Sequence, residues 1–183
     1  MISIISNSWL ELYYLLNDIL VSVLNSKYDS LHVFLLSIAP ISELRGAIIY
    51  GLTLTDIHKL GVILLSIIGN GIISVILILT LRPAREKLKN ISFFDMLFKK
   101  IDTRVQKKGK MIEKIRFWGL VLFVGIPLPV TGAWTGSFAS VFFNLDPKES
   151  IPAILLGLFL SASIVSALVL FTNFYFQNDL IYI

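Results

Sequence analysis

Two long uncharged stretches constrain the fold of this chain more than any other feature. Residues 60–81 are 22 consecutive residues without a charge, and residues 151–176 are 26. A helix needs about 20 apolar residues to cross the hydrocarbon core of a bilayer. The composition agrees, because 56% of the residues are hydrophobic and 15% are charged, whereas soluble domains average about 25% charged. We predict an all-α polytopic membrane protein, with residues 1–183 forming one membrane domain.

Basic residues are concentrated between the two predicted spans. Residues 82–116 hold 12 of the 16 lysines and arginines, and the positive-inside rule predicts that they form a cytoplasmic loop of a multi-pass cell-membrane protein. Apolar residues recur every three or four positions from Leu88 to Val105, which predicts an amphipathic helix on the inner membrane surface. We expect anionic lipid headgroups, not nucleic acid, as its partners. A helix that binds a soluble partner is the alternative.

A third apolar stretch, residues 32–51, has the length of a span but carries Pro40, Glu43 and Arg45 in its middle. A straight helix facing lipid is not expected there. Irregular backbone at membrane depth survives only where protein buries it or water lines it. We predict a re-entrant hairpin that breaks near Pro40 and returns to its starting side.

A fourth apolar stretch, residues 117–143, is interrupted in the same way. Four helix-breaking residues lie in its middle, namely Pro127, Pro129, Gly132 and Gly136. We predict a second re-entrant hairpin here.

The order of these segments suggests an internal repeat. Hairpin and span recur as residues 32–81 and residues 117–176, and the turn before each span contains an aspartate. A hairpin returns to its starting side and a span crosses once, so the two units are expected to be antiparallel. Inverted repeats with discontinuous helices are a plan found in transporters. Asp146-Pro147-Lys148-Glu149 has the residues of a helix N-terminus, which predicts a helix start with Asp146 at the N-cap and Pro147 at the first helical position, ahead of the span at 151–176.

Residues 1–26 are predicted to form an N-terminal helix with one polar face. Glu11, Asp18 and Ser22 fall at helical spacing on that face. The helix is either interfacial or a span whose polar face is buried in the bundle, and the cost of carboxylates in hydrocarbon favours the first alternative.

Glu43 and Arg45 are the charged candidates for a site. A charge at the bilayer centre costs about 2.5–3.5 kcal/mol on insertion scales, so these two side chains are either functional or an ion pair that only pins the hairpin. An apolar environment favours the neutral form of a carboxylate, which suits Glu43 to proton coupling. Arg45 and the N-terminal ends of the restarting helices favour an anionic group.

The second break offers different chemistry. Thr131 and Thr135 supply hydroxyl groups, Trp134 supplies a face for stacking, and the glycines at 132 and 136 allow close backbone approach. Trp134 is also consistent with an interfacial anchor. We predict that the two tips meet near the membrane midplane.

These motifs resemble the small multidrug export protein family. The resemblance rests on the run from Pro40 to Ala47, on Gly69-Asn70, on Pro127-Leu128-Pro129 and on the run from Thr131 to Gly136, and it covers roughly residues 32–172. It implies transport, and it adds Gly46, Asn70 and Gly136 to the candidate site. The family is distantly similar to DedA-type (VTT) membrane proteins, which have paired re-entrant hairpins and are linked to lipid translocation.

The expected function is a small transporter that exports small molecules by proton coupling, with a central site formed by the two re-entrant tips. A flippase or scramblase of an anionic lipid headgroup is the first alternative, and a non-transporting membrane accessory protein is the second. An enzyme is not expected, because the chain lacks cysteine and shows no serine–base pair or histidine cluster. We expect no cofactor and no metal, since His32 and His58 are far apart in the sequence. A homodimer would enclose more space than two spans and two hairpins alone.

Overall fold

The computed structural model describes residues 2–88, 109–128 and 131–179. These residues form seven helices and no strand. In chain order the helices are α1 (Ile2–Asn25), α2 (Lys27–Ile38), α3 (Glu43–Leu54), α4 (Lys59–Leu88), α5 (Gly109–Gly125), α6 (Ala133–Phe142) and α7 (Pro147–Asp179). The all-helical fold class is as predicted.

Helices α4 and α7 are the two that are long and apolar enough to cross a membrane among the described residues. Within Lys59–Lys87 and Pro147–Tyr175, 29 residues each, an 18-residue window reaches a mean hydropathy of 2.7 and 2.6, respectively. Helix α4 contains the predicted span 60–81, and helix α7 contains the predicted span 151–176. By length and composition alone, both helices could cross a membrane, as the sequence predicts.

Helix α4 does not end with the predicted span at residue 81. It continues through Pro83 to Leu88, although an interior proline costs about 3 kcal/mol. Tertiary contacts support the extension, because the Arg82 guanidinium donates a hydrogen bond to the Leu145 carbonyl and Arg85 is buried. Residues 82–116 are therefore helical at both ends, and most of the predicted amphipathic helix lies outside the described residues.

Helices α4 and α7 run antiparallel. Arg82 near the end of α4 contacts Leu145 just before α7. Gly71, farther back in α4, lies against Leu155, farther along α7. The N-terminus of α7 has the predicted cap, since the Lys148 amide donates to Asp146 Oδ1 at 2.9 Å and the helix begins at Pro147.

Both apolar stretches that contain prolines are broken helices. Residues 39–42 separate α2 from α3, and residues 126–132 separate α5 from α6. Helix α3 packs against α2 and α4 at Gly51, where a β-carbon would overlap Val62 and lie 3.1 Å from Val33. The breaks lie where the sequence predicts them, while their re-entrant course in a bilayer stays a prediction.

The helices that follow the two breaks pack across the molecule. Helix α3 lies against α7, and α6 lies against α4. Leu44 and Ile48 of α3 share one apolar core with Val124 of α5 and with Ile154 and Leu158 of α7. Each short helix is thus held by the long helix of the other half, which brings the two breaks together.

The N-terminal helix α1 contacts the bundle only near its C-terminal end. The His58 amide donates to Ser22 Oγ at 3.2 Å, and Val23 lies beside Gly61 of α4. Glu11 and Asp18 are exposed. Ser22 of the same face is partly buried and bonded to His58, so this face meets the bundle at Ser22, and the choice between an interfacial helix and a span stays a prediction.

Candidate functional site

Glu43 is the first residue of α3 and is buried, with 8% of its surface exposed. Its amide donates to the Ala39 carbonyl at 2.9 Å and closes the turn at the tip. Its φ of +49° lies in the left-handed region, where a residue other than glycine costs roughly 1–3 kcal/mol. Such strain persists only where surrounding contacts hold it, and those contacts come from the other half of the chain.

The Glu43 carboxylate lies at the N-terminus of α6. Oε1 accepts a hydrogen bond from the Trp134 amide at 3.2 Å, and α6 begins one residue earlier, at Ala133. A helix N-terminus carries unpaired N–H groups and a partial positive charge, so it attracts an anion. The sequence predicts such a positive end in the interior, and in this structure the anion beside it is Glu43 itself.

Gly132 permits this approach. Its φ of +151° is a conformation that side-chain-bearing residues rarely adopt. A β-carbon here would overlap Glu43 Oε2 and lie 2.6 Å from the carboxyl carbon. Both the backbone conformation and the space therefore require glycine at this position.

Arg45 binds the part of the second break that precedes Gly132. Its Nη1 donates to the Leu128 carbonyl at 2.6 Å, and its Nη2 donates to the carbonyl and hydroxyl oxygens of Thr131 at 2.7 and 3.1 Å. The Glu43 and Arg45 side chains bind different groups of the second tip, since Glu43 accepts from the Trp134 amide and Arg45 donates to carbonyl groups on the other side of Gly132. No ion pair within 4.0 Å joins them in the described part of the chain, so the alternative of an ion pair that only pins the hairpin finds no direct contact between the two side chains.

Trp134 ties α6 to the end of α2. Its indole nitrogen donates to the Ile38 carbonyl at 3.0 Å, and Ile38 is the last residue of α2. The final carbonyls of a helix have no intrahelical donor, so the indole satisfies one of them. Trp134 is half-buried at the contact between the tips.

The two threonines of the second tip stabilise its backbone. Thr131 Oγ1 is 2.8 Å from the Leu128 carbonyl and 3.0 Å from the Ile126 carbonyl. Thr135 Oγ1 donates to the Gly132 carbonyl at 3.3 Å. These hydroxyl groups hold the shape that presents carbonyl oxygens to Arg45.

The remaining glycines and prolines of the candidate site shape the tips. A β-carbon on Gly46 would lie 2.6 Å from Ser42 Cβ, and one on Gly136 would lie 2.6 Å from Val124 Cγ2. Pro40 is exposed in the first break and Pro127 lies in the second. Pro129 is outside the described residues.

Asn70 is the one candidate that the hydrogen bonds of the described residues do not connect to the tips. It lies in the middle of α4, is 1% exposed, and its Oδ1 has no hydrogen-bond partner. The structure also shows buried serines on α2, α4 and α6 that the sequence-based site did not include. The four-residue spacing of Ser66, Asn70 and Ser74 is the signal that could have identified part of this group.

A comparison with protein-family models gives one match. The model described as "Putative small multi-drug export protein" matches residues 43–164, two thirds of the chain. The match begins at Glu43 and contains every residue of the contact between the tips except Ile38. No curated protein and no solved structure matches the chain.

Proposed function

The chain belongs to the small multi-drug export family, and from that premise we propose a small membrane transporter gated by the contact between its two tips. The observation that carries this proposal is the buried Glu43 carboxylate, which binds the N-terminus of a helix 91 positions farther along the chain. Charged residues inside a membrane bundle mark substrate or proton pathways more often than structural contacts.

Glu43 can couple export to proton entry if a proton and the substrate compete for its carboxylate. The ionised carboxylate is held at the N-terminus of α6 by a charge–dipole attraction of about 0.3–1 kcal/mol, and up to about 2 kcal/mol in partly buried geometry. A proton on Glu43 removes that attraction and frees the tip of α6. A cationic group of a substrate would compensate the same carboxylate, so proton and substrate would occupy it in turn.

Arg45 has a different part in this scheme. Its three hydrogen bonds keep residues 128 and 131 in place when Glu43 changes its protonation state. An arginine remains protonated at any physiological pH. The second tip therefore stays bound to α3 through Arg45 at every pH, while its contact with Glu43 depends on whether the carboxylate is ionised.

The arrangement of helices supports alternating access by two inverted repeats. Helix α3 packs on α7 as α6 packs on α4, and α4 runs antiparallel to α7. This exchange of partners is what a two-fold axis in the membrane plane would produce. We infer re-entrant hairpins at 32–51 and 117–143, with residues 82–116 on the cytoplasmic side.

Reconstituted liposomes test the proposed function. We expect a proton gradient to drive cationic-dye flux by the wild type, and Glu43→Gln to abolish the dependence on the gradient. Glu11→Gln is the matched control, because Glu11 is exposed on α1 and its loss should leave flux unchanged. Full gradient-driven flux in Glu43→Gln would refute the role of this carboxylate.

A groove beside α5 favours lipid translocation as a second candidate. It has a volume of about 500 Å³ and is lined by one basic and six uncharged residues, namely Arg116, Gly119, Leu120, Phe123, Ala139, Phe143 and Leu145. An apolar groove with a guanidinium in its lining fits an acyl chain and an anionic headgroup. Movement of labelled anionic phospholipid without a gradient, reduced by Arg116→Gln, would support this candidate.

A further inference from the structure

Six small polar side chains are buried together between α2, α4 and α6. We call them the polar seam: Ser37, Ser66, Asn70, Ser74, Ser137 and Ser140, each 2% exposed or less. Ser37 lies against Gly69, where a β-carbon would overlap its Oγ. Ser137 Oγ lies 3.4 Å from the Ser74 carbonyl, so serines of two other helices flank the Asn70 region of α4.

The hydroxyl proton of every serine in the seam is engaged in a hydrogen bond to a backbone carbonyl. Each donates to a carbonyl of its own helix at 2.6–2.8 Å. A hydroxyl group has one proton and two lone pairs. The serine oxygens can therefore offer only acceptor positions to anything else in the seam.

Asn70 adds a further acceptor. Its Oδ1 is fully buried and has no hydrogen-bond partner, although it shares a helix face with Ser66 and Ser74. Among the six side chains, only the Asn70 amide nitrogen still has protons to donate. The seam is thus rich in oxygen lone pairs and poor in donors, and a buried acceptor without a partner is unfavourable.

We propose that the polar seam binds a small monovalent cation, with Asn70 Oδ1 as one ligand and serine oxygens of the seam as others. Neutral oxygens can replace the hydration shell of such an ion, as the carbonyl groups of channel filters do. The seam contains no carboxylate, so a divalent ion would leave two charges uncompensated in a medium of low dielectric constant. A monovalent ion leaves one.

The seam also reaches the contact between the tips. Ser137 donates to the carbonyl of Ala133, the first residue of α6, whose N-terminus holds Glu43. An ion in the seam would therefore stabilise the position of α6 that Glu43 binds. This coupling rests on the proposed function, whereas ion binding itself can be measured without transport.

Thermal unfolding of the detergent-purified protein tests the inference. NaCl, LiCl or KCl replaces N-methyl-D-glucamine chloride at constant ionic strength, and the unfolding midpoint is followed by tryptophan fluorescence. A ligand that binds only the folded state stabilises it by mass action, so above saturation each tenfold increase in ion concentration raises the midpoint by a constant increment. We expect this rise with Na⁺ or Li⁺ for the wild type.

Substitutions in the polar seam test whether the cation-dependent rise in the unfolding midpoint comes from binding there. Asn70→Ala should remove the ion-dependent rise, and Ser137→Ala should weaken it if Asn70→Ala does not fold. Ser163→Ala is the matched control, because Ser163 makes the same bond to its own helix at 2.8 Å but is exposed on α7. It should respond to the ions as the wild type does.

The outcomes separate this inference from the proposed function. A wild-type midpoint that is independent of the cation would refute the ion site and leave water as the occupant. An ion-dependent rise that persists in both Asn70→Ala and Ser137→Ala would also refute it. An ion-dependent midpoint together with absent dye flux would contradict the transporter and leave the ion site standing.

Discussion

Replacement of Gly132 by alanine is the sharpest test of the contact between the tips. The new methyl group would overlap Glu43 Oε2 and lie 2.8 Å from Oε1. The carboxylate therefore has to leave the N-terminus of α6. The backbone at residue 132 also has to keep or abandon a φ of +151°.

The expected cost has two parts. A side chain in this backbone region costs roughly 1–3 kcal/mol. Loss of a hydrogen bond to a charged group costs about 1.5–3 kcal/mol. Both losses together predict a destabilisation of about 2.5–6 kcal/mol, which is a large fraction of the usual stability of a protein.

Unfolding in mixed detergent micelles, followed by tryptophan fluorescence, measures this cost. Gly119→Ala is the matched control, because a β-carbon there would have no described atom within 4 Å apart from its chain neighbours and the backbone of its own helix. Alanine inside a helix should stabilise the protein by about 0.5–1 kcal/mol relative to glycine. The Glu43→Ala variant supplies a second background, in which Gly132→Ala should cost only the backbone part.

Two results would refute this reasoning. Gly132→Ala with wild-type stability would mean that the carboxylate does not lie over Gly132. An equal cost of Gly132→Ala with and without the Glu43 carboxylate would mean that the two residues are not in contact.

Three further substitutions test neighbouring contacts by the same unfolding measurement. Arg45→Lys should cost about 1.5–3 kcal/mol, because one ammonium group cannot reproduce the paired bonds to Leu128 and Thr131; wild-type stability would contradict them. Trp134→Phe should lower the free energy of unfolding by about 0.5–1.5 kcal/mol, because the indole bond to Ile38 is lost. An unchanged free energy of unfolding would mean that this bond does not stabilise the protein. Gly157→Ala should cost about 1–3 kcal/mol, because its β-carbon would lie 2.9 Å from a backbone oxygen of α5; a stabilised variant would show that α5 and α7 are not so close.

The main elements of the fold could be predicted because their signals are local. The uncharged runs predicted α4 and α7, and Asp146-Pro147 predicted the start of α7, since caps and hydropathy act within a few residues. Pro40 and Pro127 likewise marked the two breaks. The extension of α4 through Pro83 was missed because it depends on Arg82 reaching a distant carbonyl.

The sequence indicates that residues of the two tips lie close together, but it does not indicate which groups bind each other. Glu43, Arg45, Gly132 and Trp134 do meet, as the sequence indicates. Their pairing follows from the packing of α3 on α7 and of α6 on α4, which no short pattern encodes. Glu43 therefore binds a helix N-terminus, and Arg45 binds carbonyl groups, where the sequence suggested a pair or a substrate anion.

The ¹⁵N signals of the tryptophans test the central claim most directly. The chain has only three tryptophans, Trp9, Trp118 and Trp134, so selective labelling gives three backbone amide signals, and Trp134→Phe assigns the relevant one. In wild-type protein in a membrane mimetic, the Trp134 amide should shift as the pH is lowered and Glu43 takes up a proton, while the Trp118 amide stays in place.

In Glu43→Gln the Trp134 amide should start from a different position and should no longer titrate. That result would show that the carboxylate of the first tip binds the helix of the second and changes its charge there. A Trp134 signal with the same position and the same pH dependence in both proteins would contradict the contact, and with it the proposed gate.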